Sequence, residues 1–342
     1  MRNSKYRVLC AWGVTGTSVA LTCLGLLLMI FVIFQLVPID PVLTLVGDRA
    51  SEATYNSVRT ELGLNLSWPQ QFVVYLNKVV HLDFGYSLLT SNPVLEDISR
   101  VFPATLELAA VAIILGSGIG IPFGIVSAVY QNKWPDNLLR IISLLGNSLS
   151  IFWLGLMGLV VFYANLGWLP GPGRVDIKYL GDGDAQGFII IKSFFTANWP
   201  LFIDAVKHII MPAGILAFYN LAHISRMTRT FMIEQLSQEY IQTARIKGVT
   251  EWNIITRHAF PNIATPLLTV VILGFATLLE GSTFVEIIFM WPGLGYYLSR
   301  SLMNADLNAT LCCTVIIGFI FISFNLFADY LYKYLDPRTR MK

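Results

Sequence analysis

Charged residues are scarce in this chain. Of its 342 residues, 13% are Asp, Glu, Lys or Arg, 55% are apolar, and the mean hydropathy is +0.63. A soluble globular domain has about 25% charged residues, so this chain has too few to cover a surface that faces water. The net charge of +2, without any long block of like charge, argues against nucleic-acid binding. The composition therefore predicts a membrane protein with several spans.

Cysteine and histidine are also rare, and neither is arranged for chemistry. The four cysteines lie in apolar stretches, where we interpret them as small hydrophobic residues, and the four histidines form no spacing such as HxxxH. No lysine follows a glycine, so the chain lacks a GxxxxGK phosphate-binding loop. No Ser/His/Asp, Cys/His or paired-carboxylate arrangement is present at informative spacing. We therefore expect no metal site, no bound cofactor and no catalytic site.

Long apolar stretches are what the chain has in abundance. Six of them approach or exceed the roughly 20 residues that a helix needs to cross a bilayer, which predicts an all-α polytopic membrane protein. The six predicted transmembrane helices cover residues 8–37, 103–130, 138–166, 202–223, 267–289 and 309–332. The first exceeds a signal-peptide core and lacks an A-x-A-like cleavage site, so we expect an uncleaved helix. In the second, Gly116, Gly120 and Gly124 predict a close approach to another helix.

The segments between the spans predict domain organisation and orientation. We expect an N-terminal transmembrane helix (1–37), an extracytoplasmic insert (38–102), a five-helix core (103–332) and a tail (333–342). Most of the 23 lysine and arginine residues lie near the N-terminus, in the 131–140 turn, in the loop 225–262 and in the tail. The positive-inside rule places these segments in the cytosol. Both termini and the loop 225–262 are therefore predicted to be cytoplasmic.

A polar and basic stretch, residues 239–261, separates two apolar spans. It reads EYIQTARIKGVTEWNIITRHAFP and is patterned as two short amphipathic helices that break at Gly248. Glycine suits the left-handed conformation that often follows a helix C-terminus. The pattern alone allows two interpretations, a docking element for a cytosolic partner or a pair of interfacial helices that rest on lipid head groups.

The same stretch resembles a known family. Its EYIQTARIKG and RHAFPN segments are similar to EDYIRTARAKG and RHALPN in permease subunits of binding-protein-dependent ABC importers of the oligopeptide, dipeptide and nickel group, specifically the first of the two permeases. Further short matches follow along nearly the whole chain, among them FPATLEL at 102–108, WPGLG at 291–295 and DPR at 336–338. The stretch departs from the general Glu-Ala-Ala signature of such permeases at Gln242 and Thr243, and from its Leu-Pro ending at Phe260.

The resemblance implies a fold, a function and a set of partners. The implied fold is that of a type I ABC importer permease, and the implied function is to form part of the path for peptides across the bacterial inner (cytoplasmic) membrane. The implied partners are a second homologous permease, two cytoplasmic ATPase subunits that carry ATP and Mg²⁺, an extracytoplasmic substrate-binding protein and membrane lipid. The alternatives are a permease for nickel or a metal chelate, one for cationic antimicrobial peptides, and an ion-coupled secondary transporter.

The resemblance further implies that residues 239–261 form a coupling helix that docks into a groove of an ATPase subunit. The coupling residues carried over are Glu239, Tyr240, Thr243, Ala244, Arg245, Lys247, Gly248, His258 and Pro261. We expect Tyr240, Ile241 and Ala244 to enter the groove while the charged side chains pair at its rim. Pro261 is expected to fix the angle at which the fifth span begins.

Three glutamates lie within the predicted spans, where a charge costs roughly 2.5–3.5 kcal/mol on insertion scales. Glu107, Glu280 and Glu286 therefore need either partners within the protein or a water-filled translocation path. For Glu107 the sequence favours a structural role, a carboxylate near the interface that is bonded to helix ends. For the other two, the structural role and the path role both stay open.

Overall fold

A computed structural model describes residues 2–36, 41–47, 51–61, 63–179, 181 and 185–335, and it is almost entirely helical there. The predicted tail lies outside these residues from 336 onward, as do parts of the predicted insert. The α-helices are α1 (Arg2–Leu36), α2 (Pro41–Val46), α3 (Glu52–Glu61), α4 (Trp68–Val80), α5 (Val94–Val129), α6 (Trp134–Ser148), α7 (Ile151–Gly158), α8 (Ile189–Phe195), α9 (Trp199–Leu236), α10 (Glu239–Ile246), α11 (Glu251–Asn253), α12 (Phe260–Ile288), α13 (Leu294–Met303) and α14 (Leu307–Leu335).

Among the described residues, five helical segments are long and apolar enough to cross a membrane. They are Thr17–Leu36, Val94–Val129, Trp199–Leu236, Glu251–Ile288 and Leu307–Ala328. A sixth span is formed if the bent pair Trp134–Ser148 and Ile151–Asn165 counts as one, which agrees with the six predicted. The predicted all-helical, multi-span class is therefore confirmed.

The third span differs from the straight helix predicted over residues 138–166. Its two halves meet at 98°, because Leu149 (ψ 133°) and Ser150 (ψ 133°) adopt extended backbone conformations that end α6 and begin α7. The second half continues as a π-helix over Leu159–Asn165. The fourth span also differs, since it was predicted over residues 202–223 and α9 runs from Trp199 to Leu236.

The chain forms two compact units. The first consists of residues 1–99 and 297–323, and it contains the helices of the predicted insert. Within it the buried carboxylate of Asp306 accepts hydrogen bonds from Ser87 Oγ (2.6 Å) and from the Leu88 backbone N–H (2.8 Å), which holds the 85–91 turn against the start of α14. Phe31 of α1 stacks on Tyr75 of α4, with ring centroids 5.9 Å apart.

The second unit consists of residues 100–296 and 324–342, and α9 lies at its centre. The helix α5 approaches α9 backbone to backbone along the predicted glycine positions. A Cβ atom on Gly116 would lie 3.0 Å from the Ala217 carbonyl oxygen, and one on Gly124 would lie 2.6 Å from the Ser225 carbonyl oxygen. Larger side chains at these positions would therefore push the two helices apart.

Candidate functional site

The helix α10 follows α9 almost directly and ends in a motif that favours glycine. The Gly248 N–H donates to the Arg245 carbonyl (3.0 Å), and the Val249 N–H donates to the Ala244 carbonyl (3.1 Å). This pair of hydrogen bonds defines a Schellman motif, whose glycine adopts a left-handed conformation. Gly248 has φ of +79°, as the sequence predicted. The chain therefore turns sharply at the end of α10.

One face of α10 is packed into the protein's own core. Ile241 is fully buried in the same cluster as Ile254, Ala259 and Met232, and Ala244 packs against that cluster. The expectation that Ile241 enters a partner's groove is therefore wrong. The helix period that marks Ile241 as part of an apolar face does not say whether that face meets the protein itself or a partner.

The opposite face of α10 and the turn that follows it are exposed and carry large apolar side chains. Ile246 is 87% exposed, and Trp252 of α11 is 73% exposed. The predicted coupling residues that are also exposed are Glu239, Tyr240, Thr243, Arg245, Lys247, Gly248, His258 and Pro261. The Arg245 Nε atom lies 2.8 Å from Glu251 Oε1. Arg245, which was expected to pair with a charge on a partner, is therefore paired within the chain across the Gly248 turn.

Tyr240 connects α10 to the two spans that flank it. Its hydroxyl donates to Gln235 Oε1 of α9 (2.9 Å) and accepts from Asn262 Nδ2 of α12 (2.9 Å). The Asn262 amide also donates to the His258 carbonyl oxygen (2.9 Å). The Tyr240 side chain therefore links α10 to both α9 and α12. The sequence predicted Tyr240 as a coupling residue but could not show these hydrogen bonds.

The predicted second amphipathic helix is the start of the fifth span. The α11 turn passes into a π-helix over Ile254–Ala259, which runs directly into α12. Pro261 lies in the first turn of α12 and Pro266 within it. Proline lacks the N–H that an α-helix uses, so the α-helical pattern is broken where the loop joins the membrane helix. Arg257 and His258 are exposed on this segment.

A buried ion pair fixes α9 on the side where α10 begins, and sequence reasoning did not find it. Arg229 of α9 donates from Nε to Asp136 Oδ1 (2.8 Å) and from Nη2 to Oδ2 (2.9 Å). Asp136, in the first turn of α6, is fully buried and also accepts from Ser127 Oγ and the Asn132 N–H. In the sequence, Pro135 and Asp136 indicate only the start of a helix. No sequence pattern indicated that Asp136 pairs with Arg229.

Glu107 has partners within the protein, as the structural role favoured by the sequence requires. It forms a buried ion pair with Arg174 of the loop after α7, and it accepts the Ile190 N–H (2.7 Å) at the start of α8. The Arg174 guanidinium lies 5.4 Å from the centre of the Trp291 ring. Burial lowers the pKa of Arg174, and the charge of Glu107 opposes that change. Both carboxylate oxygens of Glu107 therefore have a partner within the protein.

The two glutamates of α12 have different surroundings. Glu286 is fully buried and accepts hydrogen bonds from Thr105 Oγ1 (2.8 Å), Ser282 Oγ (3.1 Å) and the Tyr296 N–H (3.0 Å), which favours the structural role. Glu280 is exposed, and it has no hydrogen-bond or ion-pair partner within the part of the chain that the structure describes. The structural role thus has support at Glu286, and the role of Glu280 stays open.

The fold defines the class of protein. It resembles the MetNI methionine ABC transporter, solved in inward-facing conformations, with a TM-score of 0.54 and 17% identity over 72% of this chain and 100% of that chain. This likeness concerns the fold alone, which is that of a type I ABC importer permease.

Sequence comparison then gives the family. The chain belongs to the family described as binding-protein-dependent transport system inner membrane component, which matches residues 120–341, and its N-terminal counterpart matches residues 12–109. The chain is therefore a permease subunit of an ABC importer, a transport protein with several spans in the inner membrane.

Three relatives match over nearly their whole length. The probable D,D-dipeptide transport system permease DdpB of Escherichia coli K12 is 40% identical over 96% of this chain and 95% of its own. The dipeptide transport system permease DppB of Escherichia coli K12 is 37% identical over 94% and 96%. The DppB protein of Alkalihalophilus pseudofirmus is 36% identical over 93% and 95%.

Proposed function

We propose that this chain forms, with a second permease, the path by which dipeptides enter the cell. The observation that carries the proposal is the 40% and 37% identity, across nearly the full chain, to permeases named for D,D-dipeptide and dipeptide transport. These names favour peptides over nickel or a metal chelate, and membership of a binding-protein-dependent family argues against an ion-coupled transporter. An extracytoplasmic binding protein would deliver the peptide.

The α10 segment is the proposed coupling helix, and its exposed face is the proposed contact with an ATPase subunit. Ile246 and Trp252 would enter an apolar groove, and Glu239 and Lys247 would pair with charges at its rim. The ATPases would bind ATP and Mg²⁺, since the chain has no phosphate-binding loop. This assignment requires α10 and both termini to lie in the cytosol.

Movement of the ATPases would reach the spans through the contacts that hold α10. Ile241 anchors the inner face of α10 in the core, and Tyr240 bonds to both α9 and α12. A packed helix with several anchors moves with its neighbours rather than sliding over them. Closure of the ATPases would thus bias one of two packings of the helices that border the path.

The test is reconstitution of the complete importer in lipid vesicles. The vesicles would contain this chain, its second permease and both ATPases, with loaded binding protein outside and ATP inside, and uptake of radiolabelled alanyl-alanine would be measured. ATP-dependent uptake that stops when this chain is omitted supports the proposal. Uptake driven by a proton gradient without ATPases, or uptake of nickel but not of dipeptide, would overturn it.

A further inference from the structure

The helix α12 has a stripe of exposed residues along one side. Leu273 is 37% exposed and Phe284 is 58% exposed, and Thr277 and Glu280 between them are also exposed. Spacings of three and four residues place all four on one face of a helix. The stripe therefore mixes apolar and polar side chains in a segment that is apolar enough to cross a membrane.

The other side of α12 is packed against the protein. Leu278 and Val285 are buried, and the Gly274 carbonyl accepts a hydrogen bond from Asn220 of α9 (3.3 Å). Glu280 thus lies away from the core of its own unit. It is eight residues before the end of α12 at Ile288, which corresponds to about 12 Å of helix length. The carboxylate is therefore well inside the span rather than at its end.

An exposed carboxylate at this position needs an environment other than lipid. Glutamate within a transmembrane segment is costly and almost always faces a water-filled cavity or a partner charge. Glu286, on the same helix, meets this requirement with hydroxyl and backbone donors, whereas Glu280 has none of its own among the described residues. Water, or a group outside the described residues, must therefore supply the partner of Glu280.

We propose that Glu280 lines the translocation path and binds the α-ammonium group of the peptide during passage, an inference that rests on the proposed dipeptide transport. Every peptide with a free amino terminus carries this cation, whatever its side chains. A carboxylate that binds this ammonium group would accept peptides of many sequences. Leu273 and Phe284 on the same face would contact the peptide side chains through apolar surface, without hydrogen bonds that select among them. A path of apolar residues alone would leave the ammonium group without a partner.

The test uses the assembled complex of both permeases and both ATPases in detergent, without binding protein, so that selection by the binding protein does not contribute. The probe is a dipeptide with a diazirine side chain, cross-linked by light and competed by alanyl-alanine or N-acetyl-alanyl-alanine. In the wild type, alanyl-alanine should compete at a roughly tenfold lower concentration than N-acetyl-alanyl-alanine. A tenfold difference in affinity corresponds to the free energy of one charge-assisted hydrogen bond. Glu280→Gln should remove this difference, and Glu280→Asp should retain part of it.

The controls separate this proposal from its alternatives. Thr277→Val, one turn away on the same face, should keep the wild-type discrimination. The proposal is overturned if Glu280→Gln still discriminates, or if it dissociates the two permeases, which would assign Glu280 to an ion pair between subunits. A wild-type complex that neither dipeptide competes would overturn the dipeptide function and this proposal together, whereas normal wild-type discrimination with an unaffected Glu280→Gln variant overturns this proposal alone.

Discussion

Two isoleucines in α10 have opposite roles although they lie only five residues apart. Ile241 is fully buried in the core, and Ile246 is 87% exposed. Five residues correspond to about 140° around a helix, so the two side chains point away from each other. Ile241 packs α10 against the permease core, and Ile246 is exposed, as the proposed contact with an ATPase subunit requires. Substitutions at the two positions can therefore test stability and the proposed docking separately.

We predict that Ile246→Asp and Ile241→Ala produce different defects. Ile246→Asp places a charge on the exposed face, so it should reduce ATPase binding at least tenfold while the unfolding temperature of the permease stays unchanged. Ile241→Ala leaves a cavity and should lower the free energy of unfolding by about 2–5 kcal/mol. Pull-down of the ATPase subunits and thermal unfolding of the purified permease measure the two effects. A loss of stability with Ile246→Asp would contradict the assignment of its face.

We predict that Gly248 can be replaced by asparagine but not by valine. Its φ of +79° is accessible to asparagine and strained for a β-branched residue. No heavy atom lies within 4 Å of a Cβ built at this position, so the backbone conformation, rather than a clash, decides the outcome. Gly248→Val should uncouple ATP hydrolysis from dipeptide uptake in the reconstituted importer, and Gly248→Asn should retain most of the uptake. Equal uptake by both variants would argue against a need for this turn.

At the scale of elements, the sequence predicted helices and close approaches better than it predicted breaks and partners. The long apolar stretches and the glycines of α5 are repeated local patterns, and both predictions are confirmed. The 98° bend between α6 and α7 was missed because Leu149 and Ser150 include neither proline nor glycine. The pairing of Asp136 with Arg229 joins residues far apart in the chain, and a single sequence holds no signal for such a contact.

We predict that the link between α6 and α9 is a strong local determinant of stability. Asp136 is fully buried and Arg229 is partly exposed, so Asp136→Ala removes the hydrogen bonds of the carboxylate and leaves Arg229 without its counter-charge, which should cost about 1.5–3 kcal/mol. The double variant Asp136→Leu with Arg229→Leu removes both charges and should recover part of that loss. Unfolding of the purified variants in detergent, followed by circular dichroism, measures the effect. If the double variant is less stable than Asp136→Ala, the unpaired charge of Arg229 is not the cause of the loss, and the prediction is contradicted.

At the scale of the whole molecule, the proposed mechanism requires α10 on the cytosolic side and the insert outside, and we predict that cysteine labelling will show this arrangement. Lys247 at the end of α10 and Ser91 in the insert are both exposed, and the native cysteines Cys23, Cys312 and Cys313 lie within apolar spans. Cys10→Ser removes the fourth native cysteine from the labelling background. In intact spheroplasts, a membrane-impermeant maleimide should label Ser91→Cys at once and Lys247→Cys only after permeabilisation. The positive-inside rule supports this orientation, but its physical necessity comes from the ATPases, which need cytosolic ATP and a docking face on the same side. The reverse labelling pattern would place Ile246 and Trp252 beyond the reach of any ATPase, and the coupling assignment would then fail as a whole.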